Sequence, residues 1–170
     1  MLSSYNSILI SRKIDDVYQF IALDFFDNYP RWSPEVYELE KLTSGDMRVG
    51  IIGRQVRYDS GYRSEAHFRV THLDPFRELR FVSMSKPYFD VRYLFRSAAS
   101  GTRLTFDFQL ELPLFMLPLR SRIAGSVKRG GERVVCNLKK ILEINADVST
   151  RDVNDAMARM GGASHGPASD

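Results

Sequence analysis

In the segment Thr102 to Leu112 polar and apolar residues alternate from Arg103 onward. Leu104, Phe106, Phe108, Leu110 and Leu112 are apolar; Arg103, Thr105, Asp107, Gln109 and Glu111 are polar. In extended chain successive side chains point to opposite sides, so this segment makes a strand with one apolar and one polar face. Such a strand belongs to an antiparallel sheet packed on one side and wet on the other. It excludes an all-helical fold and a parallel sheet covered on both faces. Turn residues recur upstream at close spacing: Ser44-Gly45-Asp46, Asp59-Ser60-Gly61, Asp74-Pro75, Ser85-Lys86-Pro87 and Ser100-Gly101. Short strands between such turns predict an antiparallel meander from Val36 to Leu112.

The flanks predict the rest. A short alternating strand lies around Ile8 and Ile10. Ile14, Val17, Phe20 and Ile21 then recur at helical spacing, with Asp15 and Asp16 as N-cap candidates and Asp16 with Gln19 as a capping box. Asn28-Tyr29-Pro30 ends the helical region. Pro118 suits a first helical turn, and residues 119–145 read as one long helix with Ile123, Val127, Val134, Leu138, Ile141 and Leu142 as its apolar stripe. Gly125, Gly130 and Gly131 each weaken it by about 1 kcal/mol, which predicts a bend or a close approach by another element. The order is strand, short helices, six strands, long helix: an α+β domain over 1–147. The Gly-rich and polar stretch 148–170 is expected to be a disordered tail.

Composition removes several classes. The longest apolar run, Leu112 to Leu119, holds two prolines, and a membrane-spanning helix needs about 20 residues. The first residues show neither a basic nor an apolar signal region. Cys136 is the sole cysteine, so no intrachain disulfide forms, and a reducing, cytoplasmic location is expected. Aromatic residues make up 12% of the chain, more than a small core needs unless some line a space.

The segments Val17-Tyr18-Gln19-Phe20-Ile21 with Asp24, Asn28-Tyr29-Pro30-Arg31-Trp32-Ser33-Pro34-Glu35-Val36, Val49-Gly50, Asp74-Pro75-Phe76-Arg77-Glu78-Leu79, Gly101-Thr102-Arg103-Leu104 and Leu138-Lys139-Lys140-Ile141-Leu142-Glu143 follow one another in an order and spacing that resembles the SRPBCC superfamily. This is the START and birch-allergen-like helix-grip fold, and the resemblance is nearest to its polyketide cyclase/dehydrase-like group. It implies a seven-stranded antiparallel sheet wrapped around a long C-terminal helix, with short helices after strand 1 and a hydrophobic cavity between. Members bind lipids, sterols, quinones, polyketides or hormones, and some catalyse cyclisation or dehydration. The fold does not choose among these.

Strand parity assigns the cavity face. Phe68, Phe81, Phe89, Tyr93, Phe95, Phe106 and Phe108 fall on it. For the third strand the set Ile52, Arg54, Val56 and Tyr58 is expected to face inward; the second strand, Val36 to Leu42, cannot be phased. Trp32, Met116, Ile123 and Val127 are expected to cap the space. These rings and aliphatics either line a ligand pocket or simply fill a core. Inward-facing Arg54 would need a partner, a ligand anion or a protein carboxylate. Tyr58 and Tyr93 are further orienting groups.

No catalytic constellation stands out. His67 and His72 fall on opposite faces of a regular strand, and His165 lies in the tail, so no metal and no cofactor are expected. Cys136 reads as a small buried hydrophobe. Glu65 and His67 share the solvent face. From Arg120 to Lys140 seven basic residues meet only Glu132, directly after the apolar stretch Leu112–Leu119. That pattern allows transient contact with an anionic membrane, or merely a solvated helix beside a buried connection. Nucleic-acid binding has no motif to support it. The expected function is binding or carriage of a hydrophobic small molecule. The alternatives are a polyketide cyclase/dehydratase-like enzyme and a membrane-associated lipid-shuttling module.

Overall fold

The computed structural model describes residues 1–59 and 61–161, with side chains through residue 144. Its strands are β1 (Leu2–Ile10), β2 (Val36–Lys41), β3 (Ile52–Asp59), β4 (Tyr62–Asp74), β5 (Glu78–Ser83), β6 (Phe89–Ala98) and β7 (Gly101–Leu110). They form one antiparallel sheet in the order β1-β7-β6-β5-β4-β3-β2. The meander runs from β2 to β7, and β1 closes onto β7 with Leu2 opposite Leu110 and Ile10 opposite Thr102. The helices are α1 (Ile14–Tyr18), α2 (Phe25–Trp32) and α3 (Arg120–Gly161); a π-helical turn, Gln19–Leu23, joins the first two, and a 3-10 turn, Leu114–Leu119, precedes the third. The seven-stranded sheet, the short helices after β1 and the long C-terminal helix are those expected.

The helix signals resolve differently in detail. α1 starts after Lys13 and has no side-chain cap. Asp15 and Asp16 sit inside its first turn, where the helix dipole favours acids. Asp16 pairs with Arg12 at 3.0 Å, and Gln19 donates to Asp24 at 2.9 Å, so the capping box does not form. α3 extends to Gly161, past the expected end at 145 and into the stretch expected to be a tail; residues 162–170 lie outside the described residues.

α3 runs alongside β1. Gly131 abuts Ser4 and Asn6, Lys139 Nζ donates to the Leu9 carbonyl at 2.7 Å, and Glu143 accepts from the Ser11 amide at 2.8 Å. A Cβ at Gly131 would overlap Ser4 Oγ and Asn6 Nδ2, so this glycine marks the close approach that its helix-weakening position suggested. The buried stripe of the helix is Val134, Val135, Leu138 and Leu142; Cys136 points to solvent, contrary to its expected burial, because it lies off that stripe.

β3 is phased opposite to expectation. Gly53 pairs with Phe68, Gln55 with Ala66 and Arg57 with Ser64, so Gly53, Gln55 and Arg57 face the concave side. Ile52, Arg54, Val56 and Tyr58 face the convex side. The reason is steric. A Cβ at position 53 would lie 2.8 Å from Phe68 Cε1 and 2.9 Å from Phe26 Cε1, so only glycine leaves room there. Val56 misled the parity argument because it is fully buried on the convex face, flanked by Glu38 and Glu65, which both hold Arg54.

Candidate functional site

The concave face has two ends with different character. At the closed end α1 and the π turn cover it. Phe95 packs edge-on against Tyr18 there, with centroids 5.2 Å apart. In the middle, α2 plants Phe25, Tyr29 and Trp32 onto the sheet. Phe25 meets Phe81 at 5.2 Å and Phe68 at 6.1 Å, Phe68 meets Phe81 at 4.8 Å, and Trp32 meets Tyr93 at 6.3 Å. Trp32, Phe68, Phe81 and Tyr93 have no exposed surface. These rings pack against one another, so this part of the expected lining is solid and forms a floor.

The other end is open. Phe89 and Phe108 are stacked at 6.5 Å, Phe108 lies 6.4 Å from Phe106, and Phe106 contacts Tyr93 at 5.2 Å. Phe89, Phe108 and Leu110 are only half-buried although they point to the concave side. Because Gly131 sits over Ser4 and Asn6, Val127 and Ile123 lie one and two helical turns further toward Leu110. Both are half-buried, as is Met116 in the 3-10 turn. The structure thus places Phe89, Phe106 and Phe108 at the open end, with Ile123 and Val127 on the nearby turns of α3, Met116 in the 3-10 turn before it, and Trp32, Phe68, Phe81 and Tyr93 in the floor. Phe95 is about 20 Å along β6 from Phe89 and belongs to the closed end.

Arg54 and Tyr58 are excluded from this face. Arg54 pairs with Glu65 at 2.8 Å and Glu38 at 2.9 Å, and those carboxylates hold its guanidinium protonated. Tyr58 packs on Tyr37 at 5.5 Å and is half-exposed. The inward arginine is Arg57, which the reversed parity concealed. Its Nη1 donates to Tyr29 Oη at 3.2 Å and to Ser33 Oγ at 3.4 Å, and its Nε donates to Asp59 at 3.2 Å. Burial works against its charge, but Tyr29, Asp59 and Glu35 outweigh that and raise its pKa. Burial also raises the Tyr29 and Tyr93 phenols. Tyr93 Oη accepts from Trp32 Nε1 at 3.2 Å and, staying neutral, keeps a proton to donate. Gln55 is buried, and its Oε1 has no partner among the described residues. Sequence reasoning missed Tyr29, Gln55 and Arg57. Gly53, small within a strand of large residues, was the available signal for their face.

A bulge between Val70 and His72 brings His72 to the convex face with His67, rather than to the opposite one as regular parity required. Among the described residues no three His, Cys, Asp or Glu side chains cluster to hold a metal. No described helix is long and apolar enough to cross a membrane. A polar surface groove of about 420 Å³, lined by Ser11, Arg12, Lys13, Ser97 and Ser100 among others, opens at the closed end and touches none of the expected lining.

A sheet curved round a C-terminal helix with an aromatic interior defines the helix-grip class. Solved structures share it. A TTHA0849 structure from Thermus thermophilus superposes with a TM-score of 0.71 at 17% identity, covering 84% of this chain and 98% of that one. The di-domain ARO/CYC StfQ of the steffimycin biosynthetic pathway gives 0.69 at 12% identity, covering 86% of this chain and 52% of StfQ, so this chain spans about half of that protein. Ara h 8.0201 gives 0.62 at 10% identity, covering 83% and 96%. Such identities carry the fold alone. Residues 1–143 match the family described as "Polyketide cyclase / dehydrase and lipid transport", and the chain belongs to that family. No curated protein matches it in sequence.

Proposed function

We propose that the open end binds a hydrophobic small molecule, lipid-, quinone- or polyketide-like, between β6, β7 and the first turns of α3. One observation carries this reading: Phe89, Phe108 and Leu110 turn toward the concave side yet stay only half-buried beside a buried aromatic floor, as do Ile123 and Val127 on the nearby turns of α3. Burying them against an apolar ligand supplies affinity. Tyr93 closes the inner end of the Phe106–Phe108 row, so the apolar surface offered to a ligand ends at the buried floor. A cytoplasmic location fits this reading.

Native mass spectrometry and solvent extraction of purified protein test it, together with titration by anilinonaphthalene sulfonate. A bound or bindable hydrophobe is expected. Val127→Trp, which fills the open end, should weaken probe binding by about tenfold or more. Arg54→Ala, on the convex face, should leave it unchanged. Absence of any bindable hydrophobe, or indifference to Val127→Trp, overturns the reading.

The buried polar groups beside the floor favour a second reading, proton-transfer chemistry on a polyketide-like chain. Cyclisation needs oriented donors in a dry pocket, and Tyr93 with the Arg57–Tyr29 pair offers them. The same product distribution from wild type, Tyr93→Phe and Arg57→Met, with a cyclisable poly-β-ketone substrate, would remove it.

A further inference from the structure

The 3-10 turn before α3 exposes apolar surface that the fold does not use. Leu114 is 83% and Phe115 78% exposed, and Leu117 and Leu119 are half-exposed. Surfaces of monomeric proteins seldom concentrate large apolar groups this way without a partner. The sequence around the turn is one-sided in charge. No acidic residue occurs between Glu111 and Glu132, while Arg120, Arg122, Lys128 and Arg129 are exposed. None of these four is ion-paired among the described residues.

The turn also lies at the open end. The Glu111 amide donates to the Tyr88 carbonyl at 2.8 Å, which joins the start of this segment to the β5–β6 loop. Met84 and Tyr88 of that loop are themselves 44% exposed. The apolar turn, followed in the chain by the cations of α3, therefore begins beside Tyr88 and Phe89 at the open end.

We propose that this turn docks on an anionic lipid bilayer, with Leu114 and Phe115 at the boundary of headgroups and acyl chains and Arg120 and Arg122 among the lipid phosphates. An apolar tip followed by unpaired cations fits that interface, because the chains take the tip while the surface charge attracts the cations. A second copy of the chain fits poorly. It would bring two cationic stretches together, and a six-residue turn falls far short of the roughly 800 Å² per partner of a stable interface. The docking stands on these observations; entry of a ligand from the bilayer through the open end rests on the binding reading above.

Flotation of the full chain with phosphatidylcholine vesicles, with and without phosphatidylglycerol, tests the docking. Binding is expected to the anionic vesicles and to weaken as salt rises. Leu114→Ser with Phe115→Ser should reduce it at least about tenfold. Arg120→Glu with Arg122→Glu should do the same. All four side chains are at the surface, so melting temperatures should stay level and separate lost docking from lost folding. Failure to float with either vesicle, equal flotation with both, or equal flotation of wild type and both variants overturns the proposal. So does a dimer in light scattering that Phe115→Ser dissociates in a protein that does not float. Probe titration without vesicles keeps the two readings apart: flotation without probe binding sinks the binding reading alone, and probe binding without flotation sinks the docking alone.

Discussion

Gly53 is buried on the concave face of β3, opposite Phe68. Its missing side chain lets Phe68 and Phe26 reach the β3 backbone, and that contact sets which residues of β3 face inward. Gly53→Ala should therefore destabilise the fold by about 1–3 kcal/mol, read in chemical denaturation, since the rings and backbone have to shift to admit one methyl. The exchange of Arg54 for Arg57 follows from the same residue. Both arginines lie in one short strand, three residues apart, so strand parity puts them on opposite faces without saying which is which. Only the position of the neighbouring ring tells which of them turns to the concave side beside Tyr29 and which lies on the convex surface between Glu38 and Glu65.

At the scale of elements, α3 is held along one edge of the sheet and across to α2. Asn137 Nδ2 donates to the Trp32 carbonyl at 3.0 Å, and Arg133 pairs with Glu35 just after α2. Gly130 and Gly131 are neighbours in this helix with opposite roles. A Cβ at Gly130 meets nothing within 4 Å, whereas one at Gly131 meets Ser4 and Asn6. Gly130→Ala should stabilise the protein by about 0.5–1 kcal/mol through helix propensity alone. Gly131→Ala should forfeit that gain and lower stability, because α3 must lift from β1. Thermal melts of the two variants check this; equal shifts would show that the helix does not rest on β1 as described. The long helix and its stripe were legible from period 3.6, and the sheet from period two. The chain's path through α2 was less so, because Asn28-Tyr29-Pro30 looked like an end. In the structure Pro30 lies inside a short helix that carries Tyr29 and Trp32 to the floor.

Over the whole molecule, carboxylates are held by cations and an amide, some of them near in sequence and some far from it. Glu65 is held by Arg54 and Arg63, Glu35 by Arg133, and Glu143 by Lys139 and the Ser11 amide. For Glu65 the hydrogen bond from Arg54 leads in lowering its pKa. For Glu35 and Glu143 burial pushes up, and their hydrogen bonds and cationic partners outweigh it. All three thus have folded pKa values below the ordinary carboxylate value of about 4.3. A depressed folded pKa gives stability that is present above the unfolded pKa and lost as pH falls through the folded one. Stability should hold level from neutral pH to about 5 and decline below it. Glu35→Gln should flatten part of that decline. Denaturation midpoints across this range check it, and an unchanged profile in Glu35→Gln would remove Glu35 from the account.

Local patterns in the sequence were enough for the strands, the long helix, the family resemblance and the parity of β4 up to Val70 and of β5 to β7, because side-chain alternation and helical spacing are properties of neighbouring residues. They were enough, too, to mark the apolar turn and the basic stretch that follows it. The tertiary structure alone decided the phase of β3, the filling of the central cavity by α2, and the confinement of open apolar surface to one end. Those outcomes depend on whether Gly53, Phe26 and Phe68 meet in space, and on where a short helix lays three rings. No period along a single strand records such contacts, since each joins residues that the sequence keeps apart.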